Sequence, residues 1–353
     1  QEKEIQTRLD HGVWVRLLSP ASKLKLWDSP VAHGRFIPKS LDPDAPLRLI
    51  SNCSNAQPLP WRPEVFSSMN TRLAPLLEIL RRIQTRHGES TMTLTRACSE
   101  LEAYRRRWAS QTSFVLCKMD ILRFFDEIDP ERLYQLVQSQ FPEEDHIMQW
   151  TRRVDGKRTR KKALPLTDDR ELQWDLPRQG VVFEPPAYQI RWTRQQALFA
   201  VRRLLWEFRI EMGSDAYRCT RGVPQGCVVS SLLAQLALAP VLHRLRVEMT
   251  SAEHLLAWED DLLLVGTDKT RLSYLRSRLT THLAEQGLQL NTTKTQEARK
   301  VGEGVRWAGI CIDVSLHVHY DPKKQGETWK QWKSERVTFA ALWKIAQYRV
   351  HRI

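Results

Sequence analysis

Apolar residues in the first third of the chain recur mostly at intervals of three and four. Leu73, Leu76, Leu77, Leu80 and Ile83 do so before Gly88, and Leu94, Ala97, Leu101, Tyr104 and Trp108 do so after it. That spacing predicts two helices with one apolar stripe each, Gly88 stopping the first. Residues 114–120, FVLCKMD, differ. A short apolar run ending on an acid predicts a buried strand. Asp129 and Pro130 then open a helix as N-cap and first turn, carrying Leu133, Leu136 and Val137. Thr193 and Gln196 have capping-box spacing at the start of a longer helix. Its buried face is Leu198, Val201, Leu205 and Phe208, with Gly213 as its end. Leu272, Leu275, Leu279 and Leu283 predict another helix, stopped by Gly287. Strand patterns fall at 35–39 and 47–51 around a loop of Asp42, Pro43, Asp44 and Pro46, at 288–294 with a turn, and at 305–314. Residues 328–353 mix Trp, Leu and cations at helical spacing, as if opening another domain.

The run at 255–265, LLAWEDDLLLV, interrupts its apolar pattern with three adjacent acids, Glu259, Asp260 and Asp261. The flanking runs, closed by Gly266, predict two buried strands of a hairpin. Carboxylates held side by side repel, and an unpartnered buried charge is costly. A divalent cation relieves both, and Mg²⁺ held by a few carboxylates and substrate phosphates is the expected occupant. An acidic tip in solvent is the alternative. The two readings separate on whether a matching acid stands elsewhere. Asp120, ending the 114–120 strand ahead of Phe124, Phe125 and Asp126, supplies it.

Three other segments carry chemistry. In 217–245, YRCTRGVPQGCVVSSLLAQLALAPVLHRL, Gly222, Pro224 and Gly226 make a constrained loop, and Ser230 can cap the helix beyond. Glycines there admit a close backbone or base, although an ordinary strand-to-helix turn uses them too. The hairpin at 34–54 places Lys39 and Arg48 near each other, either to grip a triphosphate or as two solvated cations. Arg152, Arg153, Lys157, Arg158, Arg160, Lys161 and Lys162 surround Asp155-Gly156. That basic run is a solvated hairpin tip, a nuclear-import signal or a nucleic-acid contact.

Composition narrows the partners. The 353 residues carry 54 Lys plus Arg against 41 Asp plus Glu, a net charge of +13, which steers the chain toward a polyanion. A hydrophobic fraction of 42% suits folded domains, and the length suits two or three. None of the six cysteines stands in a C-x-x-C pair, so no zinc cluster or thioredoxin-like motif is signalled and a reduced, intracellular compartment is expected. No run approaches 18 apolar residues and no signal peptide is visible, so no membrane span is expected. The chain begins at Gln1 without Met, as a fragment of a longer protein would.

The order of these segments resembles the reverse transcriptases, and within them the telomerase reverse transcriptases. GRFIPK (34–39) and LRLISN (47–52) resemble fingers motifs 1 and 2, and FVLCKMDILRFFDEI resembles motif A. RGVPQGCVVSSLL resembles motif B, AWEDDLLLV motif C, GLQLNTTKT motif D and WAGICID the primer-grip motif E. The likeness covers roughly residues 30 to 315, and seven motifs in register make chance matching very unlikely. The RFIPK and WAGICID forms and the long gap between Asp120 and Gln225 are the telomerase-like features.

The resemblance implies an α+β right-hand polymerase fold. Its palm would be an antiparallel sheet packed on helices, with a helical fingers insertion and the start of a helical thumb. The implied division is 1–110 fingers, 111–139 palm with motif A, 140–213 insertion, 214–300 palm with motifs B, C and D, and 301–353 primer grip and thumb entry. It implies RNA-directed DNA polymerisation by two Mg²⁺ ions. Asp120, Asp260 and Asp261 would hold the metals, with Ile121 a further metal-contacting position, and Lys294 would be a general acid toward pyrophosphate. Lys39, Arg48, Phe125, Gln225 and Gly226 would bind the deoxynucleotide, Phe125 excluding a ribose 2′-hydroxyl, and Trp307 and Gly309 would form the primer grip. The implied partners are a template RNA subunit, a telomeric single-stranded DNA primer, their RNA–DNA hybrid and dNTPs, in a nuclear ribonucleoprotein at chromosome ends. Glu259 departs from the family, which places an apolar or small residue there, as do Leu122, Arg123 and Phe124 in motif A. The rival readings are a retroelement reverse transcriptase and a catalytically dead fold serving as an RNA-binding scaffold.

Overall fold

The computed structural model describes residues 2–17, 31–38, 47–59, 62–86, 92–111, 113–141, 146–155, 158–165 and 181–320. In chain order the first elements are α1 (Glu2–Asp10), β1 (Trp14–Arg16), β2 (Val31–Pro38), β3 (Leu47–Asn52), β4 (Ala56–Leu59), β5 (Arg62–Ser68), α2 (Met69–Arg86) and α3 (Leu94–Arg107). Next come β6 (Val115–Asp120), α4 (Phe124–Glu127), α5 (Pro130–Gln140), β7 (His146–Asp155), β8 (Arg158–Pro165), β9 (Val181–Trp192), α6 (Arg194–Trp206), β10 (Arg209–Met212) and β11 (Asp215–Cys219). The last are α7 (Ser230–Glu248), β12 (Glu253–Trp258), β13 (Asp261–Gly266), α8 (Lys269–Glu285), β14 (Gln296–Ala298), β15 (Gly304–Trp307), β16 (Ile310–Asp313) and β17 (Val318–Tyr320). The chain forms two compact units, residues 1–90 with 125–237 and residues 91–124 with 238–353.

The first unit holds a five-stranded sheet of order β1-β11-β10-β2-β3. β2 and β3 pair antiparallel with Gly34 opposite Ser51, the hairpin that the turn residues between them predict. α5 begins as expected: Asp129 Oδ1 accepts from the backbone N–H groups of Glu131 and Arg132. α6 carries the expected capping box between Thr193 and Gln196. α5 and α6 meet through an edge-to-face contact of Tyr134 and Trp206, their ring centroids 5.5 Å apart. Gly213 does not end α6. The helix stops at Trp206, and Gly213 (φ 63°) lies between β10 and β11, because Arg209–Met212 finds strand partners on both sides.

The expected helical insertion is corrected by the structure. Residues 146–192 contain a three-stranded antiparallel sheet of order β8-β7-β9, and among the described residues of 140–213 the one helix after α5 is α6. The β-branched and aromatic content of 181–192, VVFEPPAYQIRW, favours strand over helix, and its adjacent prolines forbid helix interior. The basic run is divided across β7 and β8, Arg152 opposite Lys161 and Arg153 opposite Arg160. Gly156 and Lys157 lie outside the described residues, as do residues 321–353, where the thumb entry was expected.

The second unit is built on a four-stranded antiparallel sheet of order β12-β13-β6-β14. β6 and β13 are central and buried on both faces, which is why each reads as a nearly continuous apolar run. One core joins Leu101 and Tyr104 of α3, Leu116 of β6, Leu263 and Val265 of β13, and Trp307 and Ile312 of β15 and β16. Residues 305–314 form two strands rather than one. Ala308 (φ 47°) and Gly309 (φ 86°) make a two-residue turn between Trp307 and Ile310, a conformation suited to tight hairpins. Among the described residues no helix is long and apolar enough to cross a membrane. Cys53, Cys98, Cys117, Cys219, Cys227 and Cys311 are all free thiols.

A carboxylate cluster at the candidate active site

The second unit gathers the predicted acids at one end of β6 and β13. The register sets Asp261 directly opposite Asp120, at the first residue of β13 and the last of β6. Glu259 and Asp260 are the two-residue turn between β12 and β13, since Trp258 pairs with Asp261. Glu259 takes φ 53° there, left-handed and unfavourable for a residue with a Cβ by roughly 1–2 kcal/mol. Arg123, three residues past Asp120, is similarly held at φ 46°. Backbone strain of this kind gathers at functional sites. The turn is tied to β6 by the Ile121 N–H, which donates to the Asp260 carbonyl over 3.1 Å.

The carboxylates are in different electrostatic states. Burial first, and then the charges of Asp120 and Asp261, push the Asp260 carboxyl up to about 6 from an ordinary 3.8. Asp120, 5% exposed, accepts through Oδ2 from Lys294 Nζ at 2.9 Å and from Asn291 Nδ2 at 3.3 Å. Its carbonyl also accepts from the Asn291 N–H at 2.7 Å. Asp261 lies 2.7 Å from the ammonium of Lys118, which is 3.8 Å from Asp120 Oδ1. Among the described residues no three His, Cys, Asp or Glu side chains stand ready to hold a metal as a group. The donors nevertheless fit a hard divalent cation: they are carboxylate oxygens, and the repulsion from Asp120 and Asp261 that adds to burial in raising Asp260 is what a positive charge among them would relieve. Lys118 supplies part of that charge in the structure.

Lys118 and Asn291 were not singled out by sequence. Lys118 had a signal, because two residues before Asp120 on a strand means the same face. Asn291 had none beyond its place in a polar turn. Trp307, expected at the primer grip, is fully buried, and its indole N–H donates to the Asp261 carbonyl over 3.0 Å. It supports the site from beneath the turn, with Gly309 in the hairpin turn beside it. Trp307→Phe keeps an aromatic ring, though a smaller one than the indole, and leaves that carbonyl without its donor. It is expected to cost about 1–3 kcal/mol in denaturant unfolding.

The first unit gathers other predicted residues. The Gly222 N–H donates to the Ile128 carbonyl at 3.0 Å, and the Val223 N–H to the Phe125 carbonyl at 2.7 Å. The Ser51 N–H on β3 donates to the Gln225 carbonyl at 3.1 Å, and Ser230 Oγ to the Pro224 carbonyl. The loop before α7 is thus clamped at several points, with Phe125 and Gln225 half-buried and Gly226 exposed. Lys39 and the Arg48 side chain lie outside the described residues.

The family model for reverse transcriptases (RNA-dependent DNA polymerases) matches residues 60–320. No curated protein matches in sequence. Among solved structures, telomerase from Candida albicans in complex with a TWJ fragment of telomeric RNA superposes with a TM-score of 0.64 at 16% identity, over 97% of this chain and 52% of that one. Apo telomerase from Candida tropicalis gives 0.63 at 16% identity, over 96% of this chain and 54% of that one. The chain therefore has the fold found in those telomerases and spans about half the length of each.

Proposed function

The chain belongs to the reverse transcriptase (RNA-dependent DNA polymerase) family, and on that premise we propose that it is the polymerase core of a telomerase-type enzyme. It adds deoxynucleotides to a DNA 3′ end while copying RNA. The observation that carries this reading is the pairing of Asp120 with Asp261 in register, with Asp260 on the adjoining turn. Two of these acids come from separate segments of sequence, and an acidic tip in solvent would not need the buried Asp120.

Asp120, Asp260 and Asp261 would hold two Mg²⁺ ions, with Ile121 beside them. When bound, such ions activate the primer 3′-hydroxyl and neutralise the triphosphate and the leaving pyrophosphate. The chain's own residues do the rest. β6 and β13 fix two carboxylates on a buried frame that needs no reorganisation. Asn291 and Lys294 orient Asp120. Lys294, 57% exposed in its side chain, serves as proton donor toward pyrophosphate. Phe125, Gln225 and Gly226 line the nucleotide, Phe125 rejecting a 2′-hydroxyl, and Lys39 and Arg48 hold the triphosphate. Trp307 and Gly309 steady the primer end through the Asp261 turn.

The solved Candida albicans telomerase is in complex with a TWJ fragment of telomeric RNA. By that likeness an RNA subunit supplies the template here, a telomeric DNA strand is the primer, and the assembly works at chromosome ends in the nucleus. The net charge of +13 predicts that affinity for an RNA–DNA hybrid falls steeply as salt rises, a linear log–log loss measurable by fluorescence anisotropy. The function is tested with the full-length protein purified from its own cells with its RNA, given single-stranded telomeric primer, Mg²⁺ and dNTPs. A repeat ladder abolished by RNase supports the telomerase reading. Extension only on an added RNA template would replace it with a retroelement-type enzyme. No extension in either case would leave a scaffold.

A further inference from the structure

Lys118 is a lysine 7% exposed in the middle of the carboxylate cluster. A strand's period of two places it on the same face of β6 as Asp120. Its ammonium lies 2.7 Å from Asp261 Oδ1 and 3.8 Å from Asp120 Oδ1, with 8% side-chain exposure for Lys118 and Asp120 alike. Burying a lysine this deeply is costly unless its charge is used. Nothing in the proposed chemistry uses it: Lys294, the proposed proton donor, is a different and largely exposed lysine.

We propose that Lys118 is a positioning residue that acts as the built-in counterion of the metal site. It balances Asp120 and Asp261 when no metal is bound, and it makes metal loading depend on the incoming triphosphate. The inference rests on reading the acids as metal ligands. The charge count gives the reason. Lys118 and Lys294 together already offset two of the three assigned carboxylates, Asp120, Asp260 and Asp261. Two divalent ions entering alone would leave the cluster strongly positive, with a fixed ammonium in their midst. A triphosphate arriving with them restores balance. Without Lys118, free metal would meet no resident cation, and the empty site would carry unbalanced carboxylates.

The test compares the full-length protein with its Lys118→Met and Lys118→Arg variants. Methionine keeps an unbranched chain without charge, and arginine keeps the charge. Mn²⁺ binding is followed by electron paramagnetic resonance, with and without a non-hydrolysable dNTP, and thermal unfolding is followed in EDTA. Without nucleotide, Lys118→Met is expected to bind Mn²⁺ about tenfold or more tighter than wild type, because a nearby unit charge is gone. The gain in affinity that nucleotide brings should shrink to match. In EDTA the variant should unfold several degrees lower, and Lys118→Arg should stay near wild type in both assays. Equal Mn²⁺ affinity in wild type and Lys118→Met overturns the proposal.

Folding of Lys118→Met with Mn²⁺ but not in EDTA supports it. If that variant folds in neither, the Lys118→Met/Asp261→Asn double variant decides, since removing both partners of a buried pair is tolerated where removing one is not. Recovery of folding supports the counterion role; failure assigns Lys118 to packing and overturns it. Mn²⁺ binding that survives both Asp120→Ala and Asp260→Ala would remove the metal reading itself, and the EDTA comparison would then judge Lys118 alone.

Discussion

Asp260→Asn is expected to abolish primer extension and, at the same time, to stabilise the metal-free protein. The loss of activity follows from removing one of three carboxylates assigned to the metals. A fall of roughly 10³-fold or more corresponds to about 4 kcal/mol of lost transition-state stabilisation. The gain in stability follows from the acid's environment. Burial and the neighbouring carboxylates raise it to about 6, whereas in an unfolded chain it titrates near 3.8. Between those pH values the folded protein holds a proton that the unfolded chain has released. Stability from this group therefore falls as pH rises through the window, and the penalty is complete above about pH 6. Asparagine never ionises. A tenfold difference in proton affinity is worth about 1.4 kcal/mol, so in EDTA at pH 7.5 the variant should exceed wild type by roughly 3 kcal/mol. The advantage should vanish near pH 4. Denaturant unfolding at the two pH values measures this directly. An Asp260→Asn protein less stable than wild type at pH 7.5 would mean that the carboxylate is satisfied where it stands.

Gly226→Ala should be strongly destabilising in the loop before α7. Gly226 has φ 102°, which side-chain-bearing residues rarely adopt. A Cβ there would lie 2.2 Å from the Ser51 carbonyl oxygen, with the Ser51 backbone carbon and nitrogen at 3.1 and 3.2 Å. The obstacle is backbone. Ser51 is 1% exposed, pairs with Gly34 across β2 and β3, and donates its N–H to Gln225, so it has nowhere to move. Conformational strain and overpacking together put the cost at about 3–5 kcal/mol. Gly213→Ala is the control. Its φ of 63° is also left-handed, but nothing lies within 4 Å of the added Cβ, so only about 1–2 kcal/mol should be lost. Equal losses at the two positions would show that the Ser51 contact does not constrain the loop.

The parts of the fold that read correctly from sequence were those set by neighbours along the chain. Asp129 and Thr193 cap helices through backbone groups two and three residues away, so their spacing carries the whole signal. β6 and β13 were legible because a strand buried on both faces must be nearly all apolar. The acids on them stood out by contrast. What escaped depended on partners distant in sequence. The sheet of β7, β8 and β9 is set by pairing of 146–155 with both 158–165 and 181–192, which local periodicity does not display. The bond from the Trp307 indole to the Asp261 carbonyl, which ties the expected primer-grip strand to the acidic hairpin, joins residues 46 positions apart. Lys118 was passed over although its two-residue spacing from Asp120 was readable, because its pairing with Asp261 depends on a strand more than 140 positions away. The tight approach of Gly226 to Ser51 likewise joins residues far apart in sequence.

The central claim, RNA-templated DNA synthesis at the Asp120–Asp261 pair, is tested most directly by single-nucleotide incorporation. The full-length protein would be given a DNA primer annealed to an RNA template, one labelled dNTP at a time, and Mg²⁺. Incorporation only of the nucleotide complementary to the RNA, lost in EDTA and in Asp120→Asn, is the predicted result. Incorporation that persists in Asp120→Asn, or that ignores the RNA sequence, would contradict the account.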